Sequence, residues 1–281
     1  MTVVALTSAK GSPGVTTTAL ALAWVWPEVA PGRRVIVVDA DMAGGDIAPG
    51  YLRGAVSSTD GLLGLAGDRS GNRADAIWDH LVALDDEGTR LLLTGIGEPN
   101  QARSLSGAWS TLATVFAQLG DENPPVDVIL DLGRLGSLHE ATVLRERADI
   151  VLLVMRSSLT STASARPAGR RLQAERSTTD DDRVSLGCLL VGERQPYPAA
   201  EIAGAVGLPV TASLAWDPTA ATVFSEGSPA GWRFDRSPLL RTARAAASTL
   251  RATAESVQTE QASLNRLAAT SPADGRGWPH G

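Results

Sequence analysis

The chain has 281 residues, of which 43% are hydrophobic, and it carries a formal net charge of -6 at pH 7. This acidic balance argues against a protein that coats nucleic acid, and a single cysteine, Cys188, excludes a disulfide framework. The three histidines make no metal-binding pattern, and no apolar run approaches the roughly 20 residues of a membrane span. We therefore expect a cytoplasmic protein without a transmembrane segment.

Buried strands and helical segments alternate along the chain. The predicted strands are 2–7, 33–41, 88–96, 125–133, 148–156, 184–192 and 208–217. The predicted helices are 15–26, which Pro27 ends, 106–120, 139–147, 160–176, which Pro167 and Gly169 interrupt, 199–206 and 237–269. This alternation predicts an α/β fold of three layers (α/β/α) around a mostly parallel sheet of about seven strands. We expect a single domain over 1–269 and a disordered C-terminal tail over 270–281.

Polar residues follow three of the predicted strands at their carboxyl ends, where ligands bind in open α/β sheets. The segment "KGSPGVTT" (10–17) follows the first strand, Asp39 and Asp41 end the second, and Asp131 ends a central one. Two interpretations of the aspartates are open: they cap the helices that follow, or they form a magnesium site. Their clustering beside the glycine-containing segment favours magnesium.

The segment at 10–17 has most of the parts of a phosphate-binding loop. Gly11 and Gly14 allow close approach of an anion, and the helix that starts at Val15 presents its first N–H groups. Thr16 stands where a magnesium-binding hydroxyl belongs, and Thr17 can bond a phosphate oxygen. The alternative is a glycine-rich turn without a ligand.

The same segment departs from the usual G-x-x-x-x-G-K-[ST] pattern. Ala9 replaces the first glycine, Val15 replaces the lysine, and Pro13 removes one N–H donor. Lys10 is the cation that remains in the loop. Loss of one charged donor at the outer phosphates is commonly worth ~3 kcal/mol of barrier, or about a hundredfold in rate. The sequence therefore leaves open whether ATP is hydrolysed.

"KGSPGVTT" resembles the K-G-G-x-G-K-T-T loop of the ParA/MinD superfamily of deviant Walker-A P-loop ATPases, and the resemblance extends over residues 2–250. It implies that Lys10 reaches the phosphates of the partner subunit in an ATP-dependent homodimer, and that Asp41 helps orient the attacking water. It implies ATP or ADP and Mg²⁺ as cofactors, with metal contacts from Thr16, Asp39 and Asp131. The nucleotide contacts that it implies are Lys10, Gly11, Ser12, Gly14, Val15, Thr16, Thr17 and Asp217. Gly192 and Glu193 stand where the family often has an asparagine that binds adenine.

One branch of this superfamily is the most similar. "VDADMAGGDIA" (38–48) and "DLGR" (131–134) resemble motifs of the CpaE/TadZ-like proteins of Flp pilus systems. This resemblance implies a protein that positions or assembles a pilus or secretion machine, with a secretion ATPase or another localisation partner, at the inner face of the membrane or at a cell pole. It also implies dimerisation controlled by ATP with weak or no hydrolysis.

Two other functions are open. One is a ParA-like partitioning or septum-site-determining ATPase, and the other is a scaffold that binds no nucleotide. The predicted C-terminal helix is either a covering helix of the fold or a weakly basic face for DNA. Its arginines are Arg241, Arg244, Arg251 and Arg266.

Overall fold

A computed structural model describes residues 1–10, 13–57, 59–68, 73–136, 142–178 and 184–270 of the chain. Its strands within these ranges are β1 (Val3–Ser8), β2 (Arg34–Asp39), β3 (Leu81–Ala83), β4 (Arg90–Leu93), β5 (Val126–Arg134), β6 (Ile150–Arg156), β7 (Ser185–Val191) and β8 (Val210–Leu214). They form one sheet in the order β3-β4-β2-β5-β1-β6-β7-β8. Every neighbouring pair is parallel except β3 and β4.

The helices cover both faces of this sheet. They are α1 (Val15–Val29), α2 (Leu62–Gly67), α3 (Arg73–Ala76), α4 (Ala102–Leu105), α5 (Trp109–Gln118), α6 (Thr142–Glu146), α7 (Leu159–Thr178), α8 (Ala199–Val206), α9 (Pro218–Glu226) and α10 (Pro238–Thr270). Because side chains alternate along a strand, Val4 and Leu6 join a core with α1 and α10, whereas Val3 and Ala5 join a second core with α5 and α7. The predicted α/β/α architecture is confirmed.

The strand count and the predicted effects of two prolines on their helices differ from the structure. The sheet has eight strands within the described ranges, and the additional one, β3, is a half-buried antiparallel edge strand of three residues, too short to give a periodic signal. The predicted end of α1 at Pro27 is wrong, since the helix continues to Val29. The predicted interruption of α7 at Pro167 is also wrong. A proline removes one backbone hydrogen bond from a helix. In α7, burial of Ala165, Ala168 and Leu172 compensates for this loss, so the helix continues through Pro167.

A buried and fully paired carboxylate fixes the amino end of β5. Asp127 accepts hydrogen bonds from the Thr2 backbone N–H at 2.6 Å, from the Trp26 indole N–H at 2.9 Å, and from two guanidinium nitrogens of Arg33 at 2.8 and 2.7 Å. These bonds tie β5 to β1, to α1 and to the turn before β2. The charge of Asp127 is therefore neutralised where it is buried.

The long C-terminal helix α10 packs on α1 and β8. Arg244 forms an ion pair with Glu28 of α1 at 2.6 Å, and Gln258 donates to Asp149 at 3.0 Å. This is the covering-helix interpretation of the sequence. Among the described helices, none has a stretch long and apolar enough to cross a bilayer. The predicted tail at 270–281 falls outside the described residues, apart from Thr270 at the end of α10.

Candidate functional site

The turn between β1 and α1 lies at the carboxyl ends of the parallel strands. Gly14 precedes α1 with φ of 99°, a left-handed conformation that favours glycine. Its carbonyl accepts the Thr18 N–H at 2.9 Å, and no side chain caps the helix. Among the described residues, no side chain competes for the N–H groups of the first turn, which is the arrangement that binds anions.

The side chain at the expected lysine position points into the core. Val15 is 6% exposed and packs in the apolar cluster that includes Leu6 and Leu20. The sequence predicted Val15 as a nucleotide contact, and the structure leaves only its backbone N–H for that role. An isopropyl group buried here cannot contribute to phosphate charge.

Three other residues predicted as nucleotide contacts fall within the described part of the loop and of α1. Thr16 and Thr17 are half-buried in the first turn of α1, and Lys10 is exposed after β1. The Ser8 hydroxyl donates to the Lys10 carbonyl at 2.8 Å, which fixes the start of the loop. Gly11 and Ser12, which the sequence also predicts as contacts, lie outside the described residues.

Two buried carboxylates lie side by side next to this loop. Asp39 and Asp131 are register partners on β2 and β5, and they are 2% and 1% exposed. Asp131 accepts the Gly133 N–H at 3.0 Å, and the Thr16 side chain is close enough to lower the pKa of Asp131. One carboxylate oxygen of Asp39, Oδ1, is buried without a hydrogen-bond partner.

The electrostatics of the pair are unfavourable without a cation. Burial, and then the charge of Asp131, raises the pKa of Asp39 well above its usual range. Burial also raises the pKa of Asp131 to about 6, although Thr16 and the Gly133 N–H oppose this shift. Because an uncompensated buried carboxylate is costly, a bound cation would stabilise both groups.

A third aspartate completes the cluster. Asp41 lies against Gly133, whose φ is +55°, and an added Cβ on Gly133 would lie 2.0 Å from the Asp41 carboxyl carbon. Its Oδ1 accepts the Ala43 N–H at 2.8 Å. Burial raises the pKa of Asp41, the charge of Asp46 raises it further, and the nearby Arg134 lowers it. None of the helices that the structure describes is capped by Asp39, Asp41 or Asp131, which disfavours the capping interpretation.

The donor set fits magnesium that arrives with a phosphate. Within the described ranges, no three His, Cys, Asp or Glu side chains are arranged to hold a metal by themselves. Magnesium, however, keeps several waters and is usually bound by one or two carboxylates together with phosphate oxygens. The orphaned Oδ1 of Asp39 and the hydroxyl of Thr16 beside Asp131 match that chemistry.

Asp217 does not join this cluster. It follows β8 at the far edge of the sheet, and β1, β6 and β7 separate that strand from β5. Its Oδ1 accepts the Ala220 N–H at 3.1 Å, so it is the N-cap of α9. A direct role in phosphate binding is incompatible with this position, and a contact near the base of a nucleotide remains a prediction.

The sequence did not predict a stacked arginine–tryptophan pair at the same carboxyl ends of the strands. Arg156 ends β6, and its guanidinium carbon lies 3.5 Å from the centroid of the Trp216 ring, which follows β8. Trp216 is 43% exposed, and its Cβ would lie 3.2 Å from a Cβ added to Gly192 after β7. The pair therefore covers the ends of β6, β7 and β8. An arginine and a tryptophan directly after apolar strands were the available signal.

Comparison of the structure with solved structures gives the same architecture. A ParA-family ATPase from Chlorobium tepidum is 16% identical with a TM-score of 0.68, over 88% of this chain and 97% of that one. MinD from Pyrococcus horikoshii, complexed with Mg-ADP, is 18% identical with a TM-score of 0.64, over 88% and 94%. MinD in the MinC:MinD complex of Aquifex aeolicus is 15% identical with a TM-score of 0.61, over 98% and 99%. The chain has the fold of the MinD and ParA-family ATPases.

The fold implied by the sequence resemblance is thus confirmed. No protein-family model matches the sequence, and no curated protein matches it either. At these identities the likeness establishes the MinD/ParA fold and leaves activity to be argued from the residues of this chain.

Proposed function

We propose that the chain is a ParA/MinD-like protein that binds ATP or ADP with Mg²⁺ and uses the nucleotide to control homodimerisation. The observation that carries this proposal is the buried Asp39, whose Oδ1 has no hydrogen-bond partner, beside Asp131 and near the N-terminus of α1. Two adjacent buried carboxylates without a neighbouring positive charge destabilise the folded state. Their presence at this place supports a role in binding a cation.

Different described residues would bind the phosphates and the magnesium ion. The N–H groups of Val15, Thr16 and Thr17 would receive the phosphates, since no side chain caps this helix end. Thr16, Asp39 and Asp131 would hold Mg²⁺ directly or through water, and the metal would supply charge neutralisation at the phosphates.

The base would lie toward the Arg156–Trp216 pair at the ends of β6 to β8. A ring face with a stacked guanidinium offers a stacking surface to a base. Gly192 and Glu193 follow β7 there, where the family often has an asparagine. The amide side chain of Gln195 lies beside them, with its Oε1 3.0 Å from a Cβ added to Gly192, and is the group that would contact the edge of the base.

We expect hydrolysis to be slow because an apolar residue, Val15, takes the place of the usual lysine. Val15 is buried among apolar side chains, so the subunit lacks the usual cation at the outer phosphates. That absence commonly costs ~3 kcal/mol of barrier. Lys10, exposed at the loop, would supply a cation to the partner subunit, and Asp41 would orient water, so any turnover would depend on the dimer.

The cellular role that we favour is positioning or assembly of a pilus or secretion machine, at the inner face of the membrane or at a cell pole. The support is the resemblance of "GGDIA" and "DLGR" to the CpaE/TadZ-like branch. A ParA-like partitioning or septum-site role is the second candidate, supported by the shared fold with MinD and with a ParA-family ATPase. DNA binding that requires ATP would favour the second candidate, and capture of a purified pilus secretion ATPase would favour the first.

The test is calorimetric titration of ATP with Mg²⁺, followed by light scattering for mass, on wild type, Lys10→Ala and the control Arg103→Ala, which alters an exposed residue of α4. Wild type and control should bind ATP and dimerise, whereas Lys10→Ala should bind ATP and stay monomeric. Absence of binding by wild type at millimolar ATP would overturn the proposal and leave a nucleotide-free scaffold.

A further inference from the structure

A large aromatic side chain stands on the surface between α9 and α10. Trp232 is 82% exposed, the highest value among the large apolar side chains of the described residues. The guanidinium carbon of Arg233 lies 4.3 Å from the centroid of its ring. One exposed apolar residue is ordinary by itself, but Trp232 stands on an anchored segment and beside a cleft.

The segment that carries Trp232 is fixed to the body of the protein. Phe234 is buried and packs edge-on against Trp24 of α1, with ring centroids 5.2 Å apart. Asp235 accepts the indole N–H of Trp24 at 3.1 Å, and its carbonyl accepts a guanidinium N–H of Arg244 at 2.7 Å. Trp232 is therefore displayed on an anchored support, which lowers the entropy cost of using it in binding.

A cleft of about 860 Å³ lies beside this segment, between α9 and the start of α10. Its lining includes apolar surface from Val223, Phe234 and Pro238. The charged residues that line it are Arg233, Arg236 and Asp217.

The charges that remain available in the cleft are positive. Asp217 is already engaged as the N-cap of α9, whereas neither Arg233 nor Arg236 has an ion-pair partner among the residues that the structure describes. Both arginines line the same cleft, although the net charge of the chain is -6. They favour an anionic occupant at this place, while the acidic molecule as a whole repels extended polyanions.

We propose that this cleft docks an acidic peptide segment of a partner protein. One apolar side chain of the peptide enters the cleft against Val223 and Phe234, Trp232 packs over it, and carboxylates of the peptide pair with Arg233 and Arg236. Tryptophan and arginine are the residues most enriched among binding hot spots. A concave site with an apolar floor fits a peptide side chain better than it fits a flat membrane or a DNA duplex.

The cleft also meets the proposed nucleotide-binding edge of the sheet. Asp217 lines the cleft and follows β8, directly after Trp216. A peptide bound here would therefore lie next to the ends of the strands, which is where a partner could respond to the nucleotide state. This docking surface is independent of the proposed function, because it requires no nucleotide.

The test is selection of random 12-residue peptides displayed on phage against the wild-type protein, after depletion on Trp232→Ala. We expect enriched peptides with at least two acidic residues and one large apolar residue. The strongest peptide is then synthesised with a fluorescent label, and its affinity is measured by anisotropy for wild type, Trp232→Ala, Arg233→Glu/Arg236→Glu and the matched charge reversal Arg103→Glu. Circular dichroism confirms that each variant is folded.

The first two variants should weaken binding at least tenfold, Arg103→Glu should leave it unchanged, and added salt should weaken it in wild type. Enrichment of neutral or basic peptides, no enrichment at all, or equal weakening by Arg103→Glu would overturn the proposal. Vesicles of phosphatidylglycerol and a 30-base-pair duplex serve as competing probes. Binding of either one in a Trp232-dependent manner, without peptide binding, would also overturn it.

Discussion

Replacement of Asp131 by asparagine should stabilise the protein at neutral pH in the absence of nucleotide and magnesium. The folded state raises the pKa of Asp131 from 3.8 to about 6, so the folded protein binds the proton more tightly than the unfolded chain. A carboxylate of this kind contributes stability below about pH 4 and loses that contribution as the pH rises to about 6. A pKa raised by about two corresponds to about 3 kcal/mol of unfolding free energy.

Asparagine removes this loss of stability because it does not titrate, and its amide oxygen can still accept the hydrogen bond from the Gly133 N–H. We therefore expect Asp131→Asn to raise the free energy of unfolding by up to about 3 kcal/mol at pH 8, with a midpoint about 6 °C higher. The gain should shrink toward zero at pH 4. Urea unfolding followed by circular dichroism at several pH values, in EDTA, measures it.

Asp127→Asn is the matched comparison on the same strand. Asp127 is also buried, but Arg33, Trp26 and the Thr2 N–H pair its charge, so the substitution should destabilise the protein by several kcal/mol. If Asp131→Asn destabilises to the same extent at pH 8, or if its effect does not change with pH, the argument for an electrostatic deficit at Asp131 is refuted.

Three further substitutions test the site. Arg134→Ala should strengthen binding of Mg²⁺ alone about threefold by calorimetry, because it removes a positive charge that competes with the metal at the acidic cluster, whereas Arg103→Ala should have no effect. Trp216→Ala should abolish quenching of tryptophan fluorescence by ATP; a full signal in this variant would place the base elsewhere. Gly133→Ala should lower the unfolding midpoint by a few degrees, since φ is +55°, and should displace Asp41; an unchanged midpoint would contradict the strain.

Most of the architecture could be predicted from local patterns. The continuous apolar runs that become β1, β2, β5, β6 and β7 are long and bounded by turn residues, which is the signal of buried parallel strands. The aspartates at 39 and 131 could be placed together because parallel strands end at one edge. Local signals failed where tertiary packing decides, as in the three residues of β3 and the unbroken helix through Pro167.

Contacts between distant segments could not be predicted. The stack of Arg156 on Trp216 depends on β6, β7 and β8 being neighbours in the sheet. The burial of Val15 could not be predicted either. The sequence shows that a lysine is missing, but it does not show that the first turn of α1 directs this side chain into the core. The pattern of "AWDP" (215–218) was compatible with a ligand contact as well as with the N-cap that Asp217 forms.

The two buried carboxylates of β5 should make its two halves differ in stability, because Asp127 is paired with Arg33 and Asp131 is not paired with a cation among the described residues. The bonds of Asp127 hold the amino half of the strand to β1 and α1, so its amides should exchange with deuterium only when the whole molecule unfolds. The half that ends at Asp131 and Gly133 carries the unbalanced charge and should open by smaller, local fluctuations. A ligand that balances the charge should slow exchange selectively in that half, and hydrogen exchange would then report occupancy of the site without any assay of turnover.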